Sequence, residues 1–513
     1  MRGKIPEALL DLGCYPNSPQ KVRMMQTHTS WIFLTGEYAY KIKKPVNFGF
    51  LDYTSLKKRK KFCDEEIRLN RRLCPWLYLG VVPVVRCGQR LAIERPGEVV
   101  EYAVKMVELP QSAIMTQLVK KKKIDFSLIG RMAKIVSDFH ESAEASDEVS
   151  KYGSMATVKY NWDENFLQTE EFINLLLPKR RFERIKENVE KFMVEKRPIF
   201  EERLRQGKVR WLHGDFHSGN IFITDRICIF DCIEFNPRFS CSDTAAEIAF
   251  FVMDLDFLDS KEFGDYFVHR YIHHSKDSQI LMLLDFFKSY RAYVRGKVMG
   301  FKAFSDEVKD SERNVSKDVA RKYFILSEHY ANGLFDDPVL VIVYGLPGVG
   351  KSLISREVAK RMNLLHLRSD IVRKELASVP LYEHRYSPFA KGLYSGRMRE
   401  RTYHRMLELA RDVLAVGKGC VLDATFSERD WRMRSRQLAL EMRLPFFSVY
   451  CECPEEIVFE RIAKRRNDPS DATREIYREM KNYFSPPEPE SIVVDTSQRL
   501  SRLMRPLLSQ LTK

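Results

Sequence analysis

The sequence predicts two folds in tandem: a bilobal α+β domain over residues 1–335 and an α/β domain with a parallel sheet over residues 338–513. Three observations predict this. At 513 residues the chain exceeds the size at which a single core keeps growing. Residues 27–110 read as strands with one helix, whereas 111–330 read mostly as helix. From Val339 the pattern changes to a continuous apolar run ending at Tyr344, followed by helices alternating with short apolar strands.

The β-rich lobe spans about 25–108. Trp31–Leu34 and Tyr38–Ile42 are strand-like, joined by Thr35-Gly36-Glu37. Residues 55–73 are charged, with Ile67, Leu69 and Leu73 recurring on a helical face. Val81–Val85 and Glu101–Glu108 are further strands, and Leu109-Pro110 ends the sheet. The helical lobe, about 111–330, is interrupted by the short strands Ile221–Ile223 and Ile227–Phe230. Ala331–Pro338 has linker composition. Beyond it, Val339–Tyr344, Leu364–Leu367, Cys420–Leu422 and Phe446–Tyr450 read as strands. There is no internal repeat.

The chain is 44% hydrophobic and 12% aromatic, enough to build real cores, so long disorder is not expected. Its net charge of +15 favours anionic ligands such as nucleotides, phosphorylated substrates or nucleic acid; the surplus could equally solvate the surface. The densest basic runs, Lys57–Lys61 and Lys120–Lys123, lack interleaved aromatic residues, so nucleic acid is not the favoured partner. No C-x-x-C pair occurs among the ten cysteines, which argues against zinc. Apolar neighbours around Cys228, Cys420 and Cys451 predict reduced, buried thiols. With neither a signal-peptide core nor an apolar run of the ~18 residues a membrane helix needs, the expected location is cytoplasmic, with no membrane partner.

The chemistry concentrates in two loops. In the first, His213-Gly214-Asp215 is followed by Asn220, five residues beyond the aspartate. That is the catalytic-loop spacing of protein-kinase-like folds. One carboxylate orients and deprotonates an attacking hydroxyl, and an amide oxygen a turn away holds a metal. Asp231 ends the strand Ile227–Phe230, where the second metal-binding carboxylate belongs. Upstream, Tyr38-Ala39-Tyr40-Lys41 has the form V-A-I-K, so Lys41 is the candidate for the ATP α/β-phosphates, with Lys43 on the same strand face as the alternative. Glu66 on the following helix is the candidate partner of that lysine, and Glu65 is the alternative. His213 reads as a structural hydrogen-bonder. A bare turn at His213-Gly214-Asp215 would leave the other matching positions as coincidence.

This set resembles the aminoglycoside phosphotransferase and choline kinase branch of the kinase fold. The loop of that branch reads H-G-D-x-H-x-x-N and its metal strand I-D-x-x-E, here Phe230-Asp231-Cys232-Ile233-Glu234. The resemblance covers about residues 25–330. It implies a bilobal protein-kinase-like domain, Asp215 as catalytic base, and Asn220 and Asp231 as Mg2+ ligands. One feature departs from the pattern: no G-x-G-x-x-G precedes the lysine strand, and Thr27-His28-Thr29-Ser30 stands in its place.

The second loop is Gly345-x-x-Gly348-x-Gly350-Lys351-Ser352, between a strand and the helix Leu353–Arg361. That context marks a phosphate-binding P-loop. Its backbone N–H groups converge on phosphate, Lys351 reaches the β/γ oxygens of ATP, and Ser352 holds Mg2+. Asp370 and Arg373 share a helical face; the carboxylate suits an acceptor hydroxyl and the guanidinium an acceptor phosphate. The bland alternative is a helix N-cap by Ser369 or Asp370. Asp423 ends a third strand and is a further candidate for Mg2+. Arg461 and Arg465 are four apart and read either as a lid over the transferring phosphoryl group or as a solvated basic face. Residues 338–495 resemble the P-loop kinases of the gluconate kinase, polynucleotide kinase and zeta-toxin group. The full chain resembles bacterial fusions of these two kinase types.

The expected function is therefore a tandem ATP-dependent phosphotransferase acting on hydroxyl groups of small molecules. The alternatives are a polynucleotide 5′-hydroxyl kinase with an accessory domain, and an ATP-binding regulatory or toxin–antitoxin-like module. Aminoglycosides are polycations that want an acidic pocket, so a metabolite hydroxyl is the expected acceptor in a chain this basic.

Overall fold

The computed structural model describes residues 5–305, 308–383, 392–464, 469–470 and 473–512. They form two compact units. The first holds Met1–Ile124, Val136–Glu164 and Glu195–Asp254; the second holds Asp125–Ile135, Asn165–Val194 and Leu255–Lys513.

In the first unit, β1 (Arg23–Gln26), β2 (Ser30–Leu34), β3 (Tyr38–Lys43), β4 (Tyr78–Cys87), β5 (Arg90–Ile93) and β6 (Glu98–Val107) make one sheet in the order β1-β2-β3-β6-β4-β5. Every pairing in it is antiparallel. Alternating side chains divide between its faces. Phe33, Tyr40, Ile42 and Val84 pack with Leu9 and Tyr15 of the N-terminal segment. Leu34, Ala39, Val104 and Met106 pack with Cys63 and Ile67 of the helix Leu56–Asn70. Ser55 caps that helix by accepting from Lys58 N–H at 3.2 Å. A buried Arg59–Glu101 ion pair fastens it to β6.

Two short ribbons hold the catalytic-loop sequence. β7 (Val209–Trp211) pairs antiparallel with β10 (Cys241–Asp243), and β8 (Ile221–Ile223) pairs antiparallel with β9 (Ile227–Ile229). Because Ile221 is opposite Ile229, the residues just before β8 lie beside those just after β9. That register brings Asn220 next to Phe230-Asp231, and Phe230 N–H donates to Asn220 O at 3.0 Å.

The thiol expectation fails at Cys228. It forms a disulfide with Cys74, with 5.4 Å between the Cα atoms. The partner lies 154 residues away and is delivered by packing of the β8–β9 ribbon against the helix Leu56–Asn70, which local sequence does not reveal. Cys420 and Cys451 are free and buried as expected.

In the second unit, β11 (Leu340–Tyr344), β12 (Leu365–Arg368), β13 (Cys420–Asp423), β14 (Phe446–Glu452) and β15 (Ile492–Asp495) form a parallel sheet in the order β12-β13-β11-β14-β15. Every residue of β11 is buried, as a central strand covered on both faces requires. The unit also contains the helices Lys261–Ser275, Ile280–Phe304 and Asp310–Asn332. No helix of the described residues is long and apolar enough to cross a membrane.

Candidate active sites

In the first unit, the two lysines of β3 point to one face and share one carboxylate. Lys41 Nζ is 2.8 Å from Glu66 Oε1 and 2.5 Å from Asp231 Oδ1. Lys43 Nζ is 2.7 Å from Glu66 Oε2 and also pairs with Glu234. The two lysines thus take different second partners. Lys41 reaches Asp231, whereas Lys43 is 1% exposed and closes a second pair behind it. Glu65 instead pairs with Arg68 along the helix surface. Burial alone would raise the Glu66 carboxyl, but Lys41 and Lys43 hold it down to about 2. Burial works against the Lys41 ammonium too, and Asp231 and Glu66 outweigh it, lifting it well above its ordinary value.

Asn70, one turn beyond Glu66, ties this helix to the segment after β9. Its Nδ2 donates to Glu66 O at 2.8 Å, and its Oδ1 accepts from Cys232 N–H at 2.9 Å. Asp231 has φ +66, a left-handed conformation that aspartate tolerates better than most residues. Its N–H donates to the Tyr78 hydroxyl at 3.1 Å.

The catalytic loop is braced from behind. Glu247, on the helix Thr244–Phe257, accepts from His213 N–H at 3.2 Å and Gly214 N–H at 2.7 Å, and its Oε1 lies 3.1 Å from His140 Nε2. Asp254, on the same helix, accepts from Ser218 N–H at 2.9 Å. His213 Nδ1 accepts from Asp215 N–H at 3.2 Å, so its other nitrogen carries the proton and donates to Phe230 O at 2.9 Å. Burial lowers its pKa and keeps the ring neutral. His213 is therefore a structural hydrogen-bonder that links the loop to the segment after β9.

Gly214 is obligatory here. Its φ is +84, and a Cβ would sit 2.7 Å from Phe239 O. Asp215 follows, with Oδ2 accepting from Asn220 Nδ2 at 2.7 Å and lying 3.4 Å from His217 Nε2. Thr27–Ser30 forms the turn between β1 and β2, where Thr27 Oγ1 accepts from Ser30 N–H at 3.0 Å.

The second site lies at the carboxyl edge of the parallel sheet, the usual place for ligands in such folds. Gly345 and Gly348 belong to the loop after β11, and Gly350 caps the helix Lys351–Arg361 with φ +96. A cavity of about 480 Å³ is lined by Gly348, Gly350, Lys351, Ser352, Asp370, Arg373, Asp423 and Arg461, among others. Lys351 Nζ donates to Leu346 O at 2.8 Å within its own loop.

Asp370 and Arg373 pair across 2.7 Å on the helix Ser369–Leu376. The capping alternative does not hold, because Arg368 occupies the N-cap and no side chain caps this helix. Burial would raise the Asp370 carboxyl, but Arg373 and Arg368 bring it below its ordinary value. Asp423, at the end of β13, has Oδ2 3.3 Å from His366 Nε2 and is held to about 2 by His366, Arg368 and Lys351 against the effect of burial. Arg461 donates to Val349 O at 3.2 Å, Thr496 Oγ1 at 3.0 Å and Thr496 O at 2.7 Å, which pins the back of the phosphate loop to the end of β15. Arg465 lies outside the described residues.

Sequence reading did not find Glu247, His366 or Thr496. Glu247 and His366 sit within regular elements and match no motif; only the tertiary fold brings them to a site.

Fold and loops together describe an α+β domain that resembles phosphotransferase enzymes, followed by an α/β domain with a P-loop. The family model "Phosphotransferase enzyme family" matches residues 63–280, and the model "AAA domain" matches residues 340–487. An uncharacterized protein of Mycobacterium tuberculosis is 28% identical over 456 residues, 89% of this chain and 88% of that protein. Among solved structures, a choline/ethanolamine kinase family protein from Mesorhizobium loti is 11% identical. It covers 64% of this chain and 99% of its own, with a TM-score of 0.39. A gluconokinase from Sinorhizobium meliloti is 19% identical, covering 35% of this chain and 93% of its own, with a TM-score of 0.26.

Proposed function

We propose that the chain is a bifunctional ATP-dependent kinase, each domain transferring the ATP γ-phosphoryl group to a hydroxyl of a small-molecule acceptor. The observation that carries this reading is that each unit assembles a full set of groups by itself. In the first, Asp215–Asn220 and Lys41–Asp231 converge; in the second, the P-loop shares a cavity with Asp370, Arg373 and Asp423.

Asp215 accepts the proton of the acceptor hydroxyl, and its bond from Asn220 fixes the carboxylate plane for that task. Lys41, fully charged beside Glu66, binds nucleotide phosphate. In the second site Lys351 and the loop N–H groups bind phosphate, Asp370 takes the acceptor proton, and Arg373 orients the acceptor. The donor sets suit Mg2+, which needs only one or two protein oxygens beside substrate phosphates. Asn220, whose Nδ2 is committed to Asp215, would hold the ion together with Asp231, and Ser352 and Asp423 would hold it in the second site. Bound there, Mg2+ would supply neutralisation of phosphate charge.

Arg368, Arg373, Arg461 and Lys464 around the second cavity support one further reading, a nucleic-acid 5′-hydroxyl as its acceptor. Transfer from γ-labelled ATP to pooled metabolites and to 5′-hydroxyl oligonucleotides separates these. Asp215→Ala and Lys351→Ala should each remove a different product, and Asp370→Ala should match Lys351→Ala. An unchanged product set in Asp215→Ala would make the first site a scaffold. Labelled oligonucleotide lost in Lys351→Ala, with yield falling steeply with salt, selects the nucleic-acid reading.

A further inference from the structure

The helix Lys261–Ser275 lies outside the residues matched by the P-loop family model, yet it grips the second site at three places. Asp265, buried, accepts from Lys261 Nζ at 2.7 Å through Oδ1 and from His366 N–H at 3.2 Å through Oδ2. His366, on β12, then meets Asp423 with its Nε2. Glu375, on the helix carrying Asp370 and Arg373, accepts from the Tyr266 hydroxyl at 3.0 Å and Arg270 Nη1 at 2.9 Å, and lies 3.5 Å from His269 Nε2. Glu262 pairs with Arg356 of the P-loop helix at 3.6 Å.

A docking helix needs surface complementarity only. This one places a buried, charge-assisted bond on the strand that orients Asp423 and half-buried, charge-assisted bonds on the helix that bears the Asp370–Arg373 pair. Both carboxylates face the cavity, so small rotations of either element would move them relative to Lys351 and Ser352. Groups that fix the orientation of a metal-binding carboxylate control metal affinity and turnover without touching substrate.

We infer that Lys261–Ser275 is a positioning element of the second site, with Asp265 and His366 setting Asp423 and with Tyr266, His269 and Arg270 setting Asp370–Arg373 through Glu375. The P-loop chemistry would then depend on a helix that precedes the residues matched by the P-loop family model. This rests on the reading of the second site as an ATP-dependent phosphotransferase.

The test uses the full chain carrying Asp215→Ala, so that ATP turnover reports the second site, and titrates Mg2+ at saturating ATP. Turnover should vanish in Lys351→Ala. His366→Ala should raise the Mg2+ concentration for half-maximal turnover on the order of 10-fold. His366→Gln, whose amide can still donate to Asp423, should recover most of that. Asp265→Ala should follow His366→Ala, and Glu375→Ala should lower turnover at unchanged Mg2+ requirement. Thermal unfolding is followed in parallel. If His366→Ala and Asp265→Ala leave the Mg2+ requirement unchanged while Lys351→Ala abolishes turnover, the positioning role is overturned and the site reading stands. A loss that tracks unfolding temperature and is not rescued by His366→Gln also overturns it. Turnover indifferent to Lys351→Ala overturns both.

Discussion

Asn220 donates from Nδ2 to Asp215 Oδ2 over 2.7 Å, so the residue expected to hold metal also aims the residue expected to hold the proton. The amide can serve two roles because it has two ends: its N–H side faces Asp215, and its oxygen is the end that would meet a cation. Replacing Asn220 by Ala removes both at once. First-site kcat should fall on the order of 100-fold, with a smaller change in KM for the acceptor. Replacement by Asp keeps an oxygen ligand but sets a second carboxylate against Asp215. It should restore Mg2+ dependence without restoring kcat. Steady-state kinetics of the Lys351→Ala chain, in which only the first site works, decide this; wild-type kcat in Asn220→Ala would refute it.

Glu66 is fully buried between Lys41 and Lys43. Its removal leaves two ammonium groups in the interior, each keeping one remaining carboxylate, Asp231 or Glu234. Glu66→Ala should therefore destabilise the first unit by about 3–5 kcal/mol, more than a surface pair could explain. Lys41→Met, which leaves Glu66 paired with Lys43, should cost clearly less while abolishing first-site transfer. Denaturant unfolding measures both, and a Glu66→Ala loss below about 1 kcal/mol would contradict the shared-pair account.

What the sequence made legible follows from how local each signal is. The run into Gly345–Ser352 encodes strand, turn and helix in consecutive residues, and β11 and the helix Lys351–Arg361 fall where it predicts. The spacing of Asp215, Asn220 and Asp231 is likewise local, because the β8–β9 ribbon folds that stretch on itself. Lys41 and Glu66 are also near in sequence. The short strands β1, β5, β7 and β10 escaped because polar or charged residues interrupt their three or four residues, whereas the equally short β8 and β9 are wholly apolar; β15 was missed as well. Glu247 and Asp254 share a mostly apolar helix with Asp256, and sequence alone shows no partner for either. Their partners are backbone N–H groups of a loop more than 30 residues earlier, and backbone donors leave no trace in a sequence.

The Cys74–Cys228 bridge is a long-range feature of this kind and gives a stoichiometric test. Ten cysteines with one bridge leave eight free thiols. Thiol titration of the unreduced protein in denaturant should count eight, and ten after reduction. Cys228→Ser should give nine unreduced, because it frees Cys74. Loss of a bridge closing 154 residues should also lower the unfolding temperature, by the equivalent of about 2–4 kcal/mol. A count of ten before reduction would exclude the bridge.

Glu375 provides the clearest pH signature. Burial alone would raise its carboxyl, but His269, Arg270 and Tyr266 outweigh burial and bring it to about 2 from an ordinary 4.5. The sign follows from linkage. A carboxyl depressed in the folded state adds stability that is complete above its unfolded value, and that stability is lost as pH falls toward the folded value. The window is therefore 4.5 down to about 2. Across it the contribution of Glu375 should shrink by roughly 3–4 kcal/mol at most, since each pKa unit is worth about 1.4 kcal/mol. Glu375→Gln has no charge to lose, so the difference in unfolding free energy between wild type and Glu375→Gln should narrow steadily on acidification from pH 5. Subtracting the variant removes the other carboxylates that titrate in the same range. A difference that stays constant or widens between pH 5 and pH 2 would show that His269, Arg270 and Tyr266 do not favour the ionised carboxylate.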